Sequence, residues 1–303
     1  MGGYARLRLA ALLSAAAACL AAPPASAGAT GPPNPDWTSL LPAAPGTPTE
    51  PQPGPVPLCR QPSVACVDAV IRRLRSLRDR LGCDHRGVFA TTYLELTREL
   101  RRSLDSDPGL FEYPGYLYTQ DALFAGFYFD EVADWERGRE VAPAWRIAFE
   151  QAERGEITAA QEMLLGINAH VQNDMPFVLA ALGVRTPDGA SRKPDHDAMN
   201  EVLNRAYEHV VREVRLRYDP AMSLTNSELT VADDLGGLEL ARTWRELVWR
   251  NTERLLKARS DAERSLITLQ IEQNAAWWAR GIAAVQAPGI RASRDAYCRT
   301  AAP

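Results

Sequence analysis

Apolar residues return at every third or fourth position along most of this chain. Val67, Val70, Ile71, Leu74, Leu77 and Leu81 do so first, which predicts an amphipathic helix over residues 64–81 that Gly82 ends. Phe89, Leu96, Leu100 and Leu104 predict a second helix over 88–104, followed by a loop over 105–114. A third helix is expected over 119–135. Pro143, at a first-turn position, opens a short fourth helix through Trp145 and Phe149. Thr158-Ala159-Ala160-Gln161 is a capping box, and it opens a fifth helix that reaches Gly183. After a loop over 186–194, Met199, Val202, Leu203, Ala206, Val210 and Val214 line a sixth helix over 195–218, stopped by Asp219-Pro220. Helices over 233–259 and 260–286 complete the pattern, the last opened by a second capping box, Ser260-Asp261-Ala262-Glu263. No stretch alternates with the period of a strand. The predicted fold class is all-α: a single multi-helix domain of about eight helices over residues 63–290. At roughly 225 residues it is large enough for a proper core. Residues 291–303 read as a C-terminal tail tethered by Cys298.

The first residues break this pattern. Arg6 and Arg8 precede an apolar run from Leu9 to Ala22, and Ala25-Ser26-Ala27 offers a cleavage site, so residues 1–27 read as a signal peptide. The run is too short for a confident membrane span, and no later segment is apolar enough, so no transmembrane segment is expected after cleavage. Residues 28–62 form a Pro-rich linker. Ten prolines fall between Gly31 and Pro57, a composition that cannot bury a core and predicts disorder. The expected localisation is secreted, extracellular or in the cell envelope.

Composition then narrows the function. The chain carries 34 basic and 38 acidic residues; cleavage removes two arginines, leaving 32 against 38 and a net charge of −6. An acidic chain without a dense basic patch argues against nucleic-acid partners. The run Arg72-Arg73-Leu74-Arg75-Ser76-Leu77-Arg78 reads as a solvated helix face. Cys59, Cys66, Cys83 and Cys298 outlast cleavage, and an even count in an exported chain suggests two disulfides. Cys66 and Cys83 would lie near opposite ends of the first helix, a rod roughly 25 Å long, too far apart to pair. That leaves Cys59–Cys66 with Cys83–Cys298, which is preferred, or Cys59–Cys83 with Cys66–Cys298.

The fifth helix carries unusual polarity for a core element. His170 and Asp174 are four residues apart and share a face, with Asn168 and Asn173 beside them. Pro176 should kink the rod there and free the carbonyl near Gln172. One expectation is a hydrogen-bonded network of His170, Asp174 and Asn168 or Asn173 that locks helix packing. The other is a site in which His170 and Asp174 are catalytic candidates or two ligands of one metal, completed by Asp121, His85 or His196, or by Asp195 or Asp197. Arg192-Lys193 at a helix start suggests an anion, but Asp195 and Asp197 favour a surface turn with a capping aspartate.

Residues Leu164 to Pro176 resemble the central motif of an uncharacterised bacterial family of unknown function. The loop Asp188 to Asp197 with Asn200, the run Asp121 to Tyr128, Pro143-Ala144-Trp145 and Trp249-Arg250-Asn251 are similar to that family too. The resemblance spans most of residues 64–280 and implies an all-helical domain, with no activity attached. A narrower similarity, confined to His170, Asp174 and Pro176, is to zinc-dependent phospholipase C and the P1-type nucleases. It implies zinc, but a three-metal site needs more histidines than the four here, His85, His170, His196 and His209. A single zinc or other divalent metal is what that similarity leaves.

Two functions follow. The first is a non-catalytic exported protein that binds a partner protein or small-molecule ligand in a helical crevice. The second is a metal-dependent hydrolase of phosphoester or ester substrates centred on His170 and Asp174.

Overall fold

The computed structural model describes residues 61–223 and 231–301, and the signal, most of the linker and Cys59 lie outside them. The elements are α1 (Val64–Leu81), α2 (Gly87–Ser106), α3 (Pro114–Glu136), α4 (Pro143–Arg154), α5 (Ala159–Asn168), a π turn (Ala169–Asp174) and α6 (Met175–Leu182). They continue with α7 (Lys193–Arg217), a 3-10 turn (Pro220–Ser223), α8 (Val231–Lys257), α9 (Asp261–Ile282) and α10 (Ile290–Ala301). No strand forms among the described residues, so the all-α expectation holds.

The periodic apolar positions are the ones that go inside. Val67, Val70, Leu74, Leu77 and Leu81 are buried along α1, and Gly82 closes it at φ +56°, its N–H donating to the Arg78 carbonyl. Arg72, Arg73 and Arg75 face water, but Arg78 is buried and pairs with Asp79, so the arginine run is not wholly a solvated face. Prolines mark helix starts more often than expected: Pro114 begins α3 one turn before the apolar pattern announces it, and Pro194 falls in the first turn of α7. The Thr158–Gln161 capping box forms in both directions. The second box forms by half: Glu263 N–H donates to Ser260 Oγ, while the Glu263 carboxylate reaches back to the Arg259 N–H.

Two features differ from the expected plan. The tail expected to be tethered by Cys298 forms a helix, and α10 is fastened three ways. Cys83–Cys298 bridges it to the α1–α2 corner with Cα atoms 5.8 Å apart, the preferred pairing. Arg294 forks onto Glu162 of α5 at 2.7 and 2.9 Å and donates to the Ile157 carbonyl. His85 accepts or donates at both ring nitrogens, to Glu162 and Asp295, each at 2.9 Å. The fifth helix is also not one kinked rod but three pieces. Pro176 has no N–H to give, and the chain meets this by widening the preceding turn, so that the Met175 N–H donates five residues back to the His170 carbonyl. Pro176 then sits in the first turn of α6, where no donor is needed.

Close packing brings α2 against this segment. A Cβ on Gly166 of α5 would fall 2.3 Å from the Phe89 ring, so glycine alone permits the approach.

Candidate functional site

The π turn sets His170 and Asp174 inward, buried and bonded to each other. His170 Nδ1 lies 2.8 Å from Asp174 Oδ2, and Trp145 Nε1 of α4 donates to the same oxygen at 2.9 Å. Asn173 Nδ2 donates to Oδ1 at 2.8 Å. Donors from Asn173 and Trp145 occupy both carboxylate oxygens and pull against the burial that raises this carboxyl, which assigns the imidazole proton to Nδ1. Asn168 does not join this group. It donates to the Ala275 carbonyl of α9 at 2.8 Å and accepts from Gln172, whose own oxygen accepts from Asn274. That amide chain ties the turn to α9. The expected packing network therefore exists, but as two separate sets of bonds.

Aromatic rings surround the imidazole. Phe124 of α3 stacks on it with centroids 3.4 Å apart and planes within 4°, and Tyr93 of α2 meets it edge-on at 4.7 Å. Burial among these rings pushes His170 well below the usual histidine range and raises Asp174 to about 7. The ring is neutral at physiological pH, with a bare lone pair on Nε2.

That nitrogen is buried without a partner, and so are Asp121 Oδ2 and the Tyr93 hydroxyl. All three residues line one cavity of about 180 Å³ between α2, α3, the π turn, α7 and α8. The rest of its wall is almost entirely apolar, with Phe89, Phe124, Leu117, Ile167, Val171 and Met175 among its residues. Burial raises Asp121 to about 8, which keeps its carboxyl protonated and able to donate. Thr92 and Thr97 also line the cavity, but their hydroxyls donate to the Val88 and Tyr93 carbonyls of their own helix. Neither is held as a nucleophile.

The remaining metal candidates are placed elsewhere. His85 belongs to the α10 fastening, with Glu162 and Asp295. His196 Nε2 bonds to the Arg245 carbonyl, and its ring packs on Trp249. Asp195 is no surface cap: it is buried and accepts the Glu112 and Tyr113 N–H groups at 2.6 and 3.0 Å, holding the start of α3. Asp197 pairs with Lys193, and Arg192 lies over the Tyr113 and Tyr116 rings, so neither cation waits for an anion. Among the described residues no three His, Cys, Asp or Glu groups are placed to hold a metal ion. The physical reason at the π turn is that Asp174 turns its carboxylate to His170 itself, and so orients the imidazole instead of sharing a metal with it. His209 meets Arg212 at 2.9 Å, outside the cavity.

Tyr93, Phe124 and Trp145 escaped the sequence reading because each occupies an ordinary core position of its helix. Trp145 and Phe124 carried a signal, their places in the Pro143-Ala144-Trp145 start and the run Asp121 to Tyr128; Tyr93 carried none.

The fold and this cavity define an all-helical protein with a mostly apolar chamber around an oriented histidine. The chain belongs to the family of unknown function DUF5995, whose profile matches residues 67–285. No curated protein and no solved structure matches it.

Proposed function

We propose that this is an exported, non-catalytic protein that binds a small, largely apolar molecule with one hydroxyl group in the cavity beside His170. The observation that carries the reading is the coincidence of three partnerless buried polar atoms, on His170, Asp121 and Tyr93, with one apolar cavity. Unmet buried polar groups cost free energy, and a ligand hydroxyl would offset that cost by donating to His170 Nε2 and accepting from Asp121 or Tyr93. The size suits a benzene-class molecule, since dry cavities of about 150 Å³ hold benzene. A substituted phenol is therefore the ligand class.

Export rests on residues 1–27 as a signal peptide and 28–62 as a linker, with the domain over 63–290. The Cys83–Cys298 disulfide supports an oxidising compartment. No described helix is long and apolar enough to cross a membrane.

The test is calorimetric titration of the mature protein with 4-methylphenol. Met163 of α5 also lines the cavity; saturable binding that is lost in a cavity-filling Met163→Trp variant supports the reading, and absence of binding to the folded protein overturns it. The second reading is a metal-dependent hydrolase of ester or phosphoester substrates. What favours it is an imidazole oriented by Asp174 with Nε2 bare, beside the carboxyl of Asp121. Stoichiometric zinc in the purified protein, lost in His170→Ala, would move the case to that reading.

A further inference from the structure

We infer that the acid-lined recess on the far side of the π turn, around Asn173, binds a small organic cation bearing N–H donors, an alkylammonium or guanidinium group. This recess, about 430 Å³, is bordered by Glu131 of α3, Asn173 and Asp174 of the π turn, Glu272 of α9, and the half-buried rings of Phe127 and Phe177. It is separate from the cavity beside His170.

Two observations meet there. Asn173 is buried, and its Nδ2 donates to Asp174 Oδ1, which fixes the amide orientation. Its Oδ1 is therefore an acceptor, and it is buried with no partner. Beside it, Glu131 and Glu272 form no ion pair among the described residues. Arg146 and Glu140 also line the recess; Arg146 is exposed and pairs with Glu140 at 3.3 Å, not with Glu131 or Glu272. Glu131 Oε2 has only the Ala142 N–H, at 3.2 Å.

An orphan acceptor beside two acidic side chains without ion pairs suits a positively charged donor. Burial, followed by the push of Asp174, raises Glu131 to about 8, and burial raises Glu272, so Glu131 holds its proton in the empty recess and gives it up when a cation binds. The acids come from three separate elements, and no three of them are placed to share a bare metal ion. The recess of about 430 Å³ has room for a larger cation, and aromatic rings attract such ions.

The experiment is calorimetric titration of the mature protein with n-butylammonium chloride at low ionic strength, beside tetramethylammonium and magnesium chlorides. The expected result is saturable n-butylammonium binding, weakened about tenfold in Glu131→Gln and in Glu272→Gln, with tetramethylammonium weaker by a similar factor for want of an N–H. Glu272 is half-buried, so its variant keeps the fold if Glu131→Gln does not. Both variants should still bind 4-methylphenol, so the two readings fail separately. No n-butylammonium binding, parent-like affinity in both variants, or tighter binding of magnesium would overturn the inference.

Discussion

Trp145 and His170 donate to the same oxygen of Asp174, at 2.9 and 2.8 Å, from two different elements. The carboxylate thus joins α4 to the π turn while it orients the imidazole. Asp174→Ala would leave these buried donors, and that of Asn173, without an acceptor. The expected loss is about 3 kcal/mol of unfolding free energy, read by urea denaturation. Asp174→Asn should cost less, because one amide oxygen can still accept.

Gly166 is the contact point of α5 with Phe89 of α2. A methyl group there would lie 2.3 Å from the ring, with little room to yield among Tyr93, Tyr128 and Trp145. Gly166→Ala is expected to lower stability by about 2 kcal/mol, or roughly 4–8 °C in Tm. Differential scanning calorimetry checks it.

Most helices were legible because burial follows the apolar period: Val67 to Leu81, and Val202 to Val214, lie inward as spaced. Capping was legible at Thr158 and Ser260, where side chain and partner are three residues apart. What was not legible depends on partners distant in sequence. Asp195 looks like a local cap, but its acceptors serve Glu112 and Tyr113. The Cys298 tether of the tail was legible, but its helix was not, nor the fork of Arg294 onto Glu162 of α5. His170 and Asp174 were legible as an inward pair. The π turn was not, because a proline in a helix is met equally well by a kink or by a widened turn. Tyr93 and Asp121 became candidates of equal weight only once α2 and α3 were seen to face the same cavity.

The fastening of α10 should make stability depend on pH through His85. Burial opposes its charged form, but the hydrogen bond and charge of Glu162, and Asp295, outweigh both that and the repulsion of Arg294, so its folded pKa is raised. A raised value favours the protonated folded state. Its contribution is complete below the unfolded value near 6.5 and is lost as pH rises through the folded one. His85→Gln should therefore destabilise most at about pH 6 and converge toward the parent as pH rises above that window. Urea unfolding across pH 6 to 9 is the check; a constant difference between the two proteins would refute it.

The Cys83–Cys298 bridge closes a sequence separation of 215 residues. Loops of that length give disulfides their largest effect on the unfolded chain. Cys298→Ala is expected to cost about 4 kcal/mol. Limited proteolysis should cut within α10 first, because only the Arg294–Glu162 fork and the His85–Asp295 bond would then fasten it.

The central claim is that a ligand hydroxyl completes the bare nitrogen of His170. Nitrogen-15 NMR of the imidazole, during titration with 4-methylphenol, tests it most directly. The account requires a neutral ring protonated at Nδ1, whose Nε2 resonance shifts with the calorimetric binding curve and stays still in Met163→Trp. An Nε2 resonance that does not move while 4-methylphenol saturates the protein would contradict it.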